Sequence, residues 1–241
     1  MNYLAHIYLS GSSPQIRVGG FIADAVKGGI PEHYPYKLRS GIRLHRLIDN
    51  YTDHHPLVRE MVALLNREFG RYGGILPDLF FDHYLARDFE NYSSVSLSSF
   101  SRKFYFDLVL NYSYLPVRIR RFMWHFIFTN RLCCYRTVEG LMESVGIMVE
   151  YRGVPFDINK LQRYFVDNYD YFQDCFYSFF PDVMNYAENM KQEEMEVVKD
   201  EGSEINLYGK LVERSGNIDV VSVVYGEEEE KAVHIGLWEV R

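Results

Sequence analysis

From residue 14 to about residue 186, apolar side chains recur every three or four positions, the period of an amphipathic helix rather than the strict alternation of a half-buried strand. Helices patterned in this way must bury their apolar stripes against one another, so the pattern commits most of the chain to an all-α body. Helix punctuation divides it. Ser13-Pro14 opens a segment with serine as N-cap and proline at the first helical position, and Gly28-Gly29 stops it. Further helices are predicted over 36–51, 56–69, 77–87, 98–112, 116–131, 138–150 and 159–190, the last breaking near Pro181 because proline removes a backbone donor and clashes with the preceding turn. Gly73-Gly74, Ser93-Ser94 and Gly153-Val154-Pro155 mark loops.

Past residue 190 the grammar changes. Residues 191–204 form a charged run that reads as a linker or a solvated helix end, and 205–241 carry three strand-like runs with turns at Ser215-Gly216-Asn217 and around 226–231. The expectation is therefore an all-α domain over 1–190 with a small C-terminal β-meander appendage. Charge follows the same division: the formal total is −7, but residues 187–241 hold 14 acidic and 6 basic side chains, a net of −8, and the remainder is close to neutral.

At 47% hydrophobic and 24% charged, the composition is globular and excludes disorder and collagen. The opening residues lack a basic segment before an apolar core and so read as no signal peptide. The most apolar stretch, 122–128, is interrupted by His125 and is far shorter than the roughly 20 residues a bilayer demands, so no membrane is expected. Three cysteines, two of them adjacent at Cys133-Cys134, make neither a disulfide framework nor a CxxC zinc site, which points to a reducing cytoplasmic setting.

The chemistry concentrates in four short segments. His45 and Asp49, four residues apart in the 36–51 helix, project from one face, with Thr52 or Asp53 continuing the stripe. Imidazole and carboxylate together suit Mn, Fe or Zn, although for that spacing alone a surface His–Asp pair is the better explanation. Asp82 and His83 stand inside the apolar run Leu79-Phe-Phe, where an unpaired carboxylate costs several kcal/mol. Asp24 sits among small and apolar neighbours in Gly20-Phe-Ile-Ala-Asp24, and His6 in Tyr-Leu-Ala-His6-Ile-Tyr. Together they suggest a metal site with Asp24, His45, Asp49 and Asp82 as ligands, and with His6 and His83 as further ligands, orienting groups or proton donors. Arg46 and Lys27 are candidate phosphoryl contacts, or plain surface charges that balance the carboxylates. His33, His54, His55, His125 and His234 read as structural.

Asn2-Tyr-Leu-Ala-His6, Gly20 to Asp24, Gly41-Ile-Arg-Leu-His45-Arg-Leu-Ile-Asp49 with Thr52-Asp53, Asp82-His83-Tyr-Leu, Tyr135-Arg136 and Phe180-Pro181 resemble, in order and at similar spacing over residues 1–190, the acyl carrier protein phosphodiesterase family. The resemblance implies an HD-like helical bundle whose Mn²⁺, with Mg²⁺ or Fe²⁺ as substitutes, assists hydrolysis of the phosphodiester joining 4′-phosphopantetheine to a serine of holo-acyl carrier protein. It gives Arg136 and Arg152 as positions that serve the site. The order Asp82-His83 inverts the His-Asp pair of the broader HD superfamily, so ligand roles do not transfer mechanically. Residues beyond 200 have no counterpart in the resemblance.

Acyl carrier proteins are acidic, and no acidic residue lies between Asp107 and Glu139, while Arg118, Arg120, Arg121, Arg131 and Arg136 do. Arg118, Arg120, Arg121 and Arg131 are thus a candidate docking patch, against a solvated helix face with Phe122 and Trp124 in the core. The island is too short for nucleic acid. The competing functions are an HD-like phosphohydrolase of a small metabolite or nucleotide, and a non-catalytic helical module that binds carrier protein. The aromatic run 164–180 reads as core packing.

Overall fold

The computed structural model describes residues 2–152 and 157–201, and every regular element among them is helical. In chain order these are α1 (Tyr3–Leu9), α2 (Pro14–Ile22), α3 (Tyr36–His54), α4 (Pro56–Phe69), α5 (Leu76–Arg87), α6 (Phe89–Tyr92), α7 (Leu97–Leu110), α8 (Val117–Phe128), α9 (Arg131–Cys134), α10 (Val138–Arg152), α11 (Ile158–Asp167) and α12 (Tyr169–Glu201). Single 3₁₀ turns at Ala23–Ala25, Gly70–Ile75 and Tyr112–Tyr114 join some of them. The predicted β-meander and the Gly153-Val154-Pro155 loop lie outside the described residues.

Most sequence boundaries hold within a turn, and the exceptions have identifiable places: α2 ends at Ile22 rather than at Gly28-Gly29, the chain tightening into the 3₁₀ turn that carries Asp24. The 116–131 helix ends at Phe128 because Asn130 takes a left-handed conformation (φ 46°), which asparagine tolerates, and Thr129 turns its hydroxyl back onto the His125 carbonyl. The break expected at Pro181 falls instead at Asn168, whose amide side chain bonds the Tyr164 carbonyl. Helix α12 runs through Pro181 because Phe176, Phe179, Phe180 and Val183 are all fully buried around it, and that packing outweighs the roughly 3 kcal/mol cost of an interior proline. The short α1 lacks a propensity signal and is held by a partner from α5, described below.

The aromatic run behaves as core: Phe165 and Phe172 pack on Phe80, and Phe176 and Phe179 pack on Phe81. Helices α2 and α3 come into direct backbone contact. At Gly19 and Gly41 a Cβ would strike the Leu38 and Ile16 carbonyls of the opposing helix, so only paired glycines let the two backbones touch. This crossing presses the C-terminal end of α2 against the middle of α3, where His45 and Asp49 lie. A buried Arg17–Asp107 ion pair ties α2 to α7.

Candidate metal centre

Two helices and one 3₁₀ turn deliver the site. His45 and Asp49 share a face of α3, and α1 lies across them so that the His6 and His45 rings stack with centroids 3.6 Å apart. The 3₁₀ turn that ends α2 adds Asp24. Asp49 bridges both imidazoles, with Oδ1 2.9 Å from His6 Nε2 and Oδ2 3.0 Å from His45 Nε2, while Asp24 Oδ1 lies 3.2 Å from His45 Nε2. His6 and His45 are 1% and 5% exposed, so the cluster opens to solvent through its carboxylates.

The donor set fits a divalent cation. His45 Nδ1 lies 2.7 Å from the Gly20 carbonyl, an acceptor only, so Nδ1 carries the proton and donates it there. Nε2 then turns its lone pair toward two carboxylates. That arrangement requires either a second proton or a cation. Neither nitrogen of buried His6 has a well-oriented hydrogen bond among the described residues, although Nε2 lies close to Asp49. One ligand atom each from His6, His45 and Asp49 lies within 4.8 Å of the others. Without the cation, electrostatics substitute protons: burial opposes charging of His45, but Asp49 and Asp24 outweigh it and push the imidazole up to about 10. Burial and the neighbouring His45 drive His6 down to about 4. Against its own burial, Asp24 is lowered by His45, and Asp49 is held well below the usual carboxylate range by surrounding positive charge that includes His45.

The other expected residues divide differently. Asp82, fully buried on α5, does not join this cluster; its carboxylate accepts the backbone N–H groups of Leu4 (2.8 Å) and Ala5 (3.0 Å), and so caps α1 and sets the height of His6. Burial pushes Asp82 up to about 7 despite those two bonds. His83 points elsewhere: Nδ1–H donates to the Tyr135 carbonyl and Nε2 accepts from the Tyr169 hydroxyl, both at 2.8 Å. Arg46 donates to the Val26 and Gly28 carbonyls, fastening the chain that follows Asp24, and Lys27 lies exposed beside it. Arg136 binds the Ala86 carbonyl and both oxygens of Glu90, and Arg152 is the last residue of α10.

Sequence reasoning passed over Asp78. It precedes Asp82 by four residues on α5, is buried, and has its carboxyl raised by that burial, with Asp49 and Asp24 contributing. The i,i+4 spacing to Asp82 was the available signal. Asp53, one turn beyond Asp49, faces Asp78, and burial of the carboxyl together with Asp78 pushes it up to about 7.

The arginine island is not uniform. Arg118 and Arg121 are exposed on α8, whereas Arg120 is engaged by the Leu115 and Ser113 carbonyls. Arg131 offers no surface charge: it is 5% exposed and directed at Ser144 and Glu143. Trp124 is not core but half exposed, stacked on the still more exposed Phe128.

A family model described as acyl carrier protein phosphodiesterase matches residues 1–183. Curated proteins of that name include one from Yersinia pestis, 25% identical with 78% of this chain and 98% of the relative covered, and one from Photorhabdus laumondii, 29% identical with 78% and 96% covered. A third, from Pectobacterium atrosepticum, is 39% identical over 87 residues, 36% of this chain and 45% of the relative. No solved structure matches. With a family model matched over residues 1–183, a helical body and a His–Asp cluster supplied by three of the six resembling segments, the chain belongs to the acyl carrier protein phosphodiesterase family, a family of phosphoric diester hydrolases.

Proposed function

We propose that this protein is a metal-dependent phosphodiesterase that hydrolyses the bond between 4′-phosphopantetheine and serine in holo-acyl carrier protein, giving apo-carrier protein and 4′-phosphopantetheine. The observation that carries the reading is the convergence of His6, His45, Asp24 and Asp49 around one point, with His45 Nε2 facing two carboxylate oxygens. A phosphodiester anion repels hydroxide, so cleavage needs local positive charge and a deprotonated water. A divalent cation, Mn²⁺ in the first place, supplies both when bound.

The chain's own residues do the rest. Gly20 holds the His45 ring in one tautomer, Asp82 fixes α1 and thereby His6, and Arg46 fastens the segment that presents Asp24. His83 has no ring nitrogen left for the departing serine oxygen, so of the two histidines expected to donate a proton only His6 faces the cluster. An HD-like arrangement is part of this reading, supported by the helical body and the His–Asp cluster. A cytoplasmic setting is supported by the free cysteines 133, 134 and 175, and no helix among the described residues is long and apolar enough to cross a membrane. Carrier-protein docking falls to Arg118 and Arg121, beside the exposed Trp124 and Phe128.

Incubating the purified protein and Mn²⁺ with holo-carrier protein and weighing the carrier tests the proposal. Conversion to the apo mass is expected. An unchanged carrier mass alongside turnover of small diesters would transfer the activity to a small-molecule substrate.

A further inference from the structure

A cavity of about 360 Å³ opens between the C-terminal half of α3, the first half of α4 and the start of α5. Val58, Val62 and Ala63 of α4 form its apolar wall, Asn66 stands at one end, and Asp53 and Asp78 close the side nearest the metal centre. Its Asp53 side lies next to that centre along α3. Asp53 follows Asp49 by one helical turn, about 6 Å along the axis, and Asp78 feels the charges of both Asp49 and Asp24.

Resting on the function proposed above, the geometry points to this cavity as the binding site for the pantetheine arm of the substrate, a neutral chain of alternating apolar and amide units. The size lies in the range of small-molecule sites, whose walls are apolar with a few placed polar groups. The charges select the occupant and its direction. Two carboxylates against the single Arg59 disfavour a second phosphate, so the anionic end stays at the His–Asp cluster and the uncharged arm extends into the cavity. The dimethyl branch nearest the phosphate then meets Val58 and Val62. The amide N–H groups beyond it meet acceptors on Asp53 and Asn66.

The test uses D-pantetheine, the arm without phosphate, titrated calorimetrically into the metal-free full-length protein. Ala63 is exposed on α4, so Ala63→Phe fills the cavity from the solvent side, and Ala63→Ser serves as the folding control. Ala63→Phe is expected to weaken pantetheine binding about tenfold and to raise KM for holo-carrier protein by a similar factor with the fold intact by circular dichroism, while Ala63→Ser, which adds little bulk, binds pantetheine within about twofold of wild type. Pantetheine affinity and KM unaltered by Ala63→Phe would overturn the assignment. Wild-type protein that leaves holo-carrier intact overturns the functional reading instead, and pantetheine binding abolished by Ala63→Phe would still uphold the cavity.

Discussion

Helices α3 and α5 each carry a histidine and an aspartate against an apolar background, yet they use them in opposite ways. On α5, Asp82 and His83 are satisfied by backbone groups and a tyrosine hydroxyl. On α3, His45 and Asp49 face other titratable side chains: His6 and Asp24. A buried polar residue whose partners are all backbone groups or a hydroxyl is already satisfied by the fold. One answered by further carboxylates and imidazoles is poised for a charge that the chain itself does not supply.

The comparison breaks most visibly on substitution. Asp49→Asn or His45→Ala should lower kcat for holo-carrier protein by about a thousandfold, the several kcal/mol a bound cation contributes to the transition state, with the fold intact by circular dichroism. Asp82→Ala should instead destabilise the protein by about 2–4 kcal/mol in urea unfolding, because it orphans two buried N–H groups and frees α1. His83→Ala should cost about 1–2 kcal/mol and leave kcat within a few-fold of wild type.

A pH series sharpens the same contrast. The folded value of Asp82, about 7, lies above its ordinary 3.8, so its contribution to stability is fully present below about pH 4 and is lost as pH rises through 7. Asp82→Asn, which keeps an acceptor without a charge, should therefore be most destabilising in acid and approach or exceed wild type near pH 8. The smallest effect belongs to the surface. Arg118→Glu with Arg121→Glu should slow association with carrier protein less than about tenfold at low salt and not at all at high salt, in stopped-flow mixing.

Much of this was legible in the residues. Proline placed the starts of α2 and α4 at Pro14 and Pro56, and the α3 stripe put His45 beside Asp49. His6, as doubtful as any lone core histidine, could not be ranked from sequence, because its role comes from α1 crossing α3. That crossing depends on Asp82 holding α1 from 77 or more residues away. Asp82 and His83 misled for the same reason: a one-dimensional pattern shows that a polar group is buried but not which partner meets it. Arg131 shows the converse, a charge that looks free in sequence and is buried against Ser144 and Glu143.

The central claim is that the α3 cluster, and not the α5 pair, holds the cation. Calorimetric titration of Mn²⁺ into metal-free wild type, Asp49→Asn and His83→Ala tests it directly. The account predicts stoichiometric binding to wild type and His83→Ala with release of about one proton near pH 7, since His45 is protonated up to about pH 10 without the ion, and loss of binding in Asp49→Asn. Equal binding by wild type and Asp49→Asn, or loss confined to His83→Ala, would contradict it.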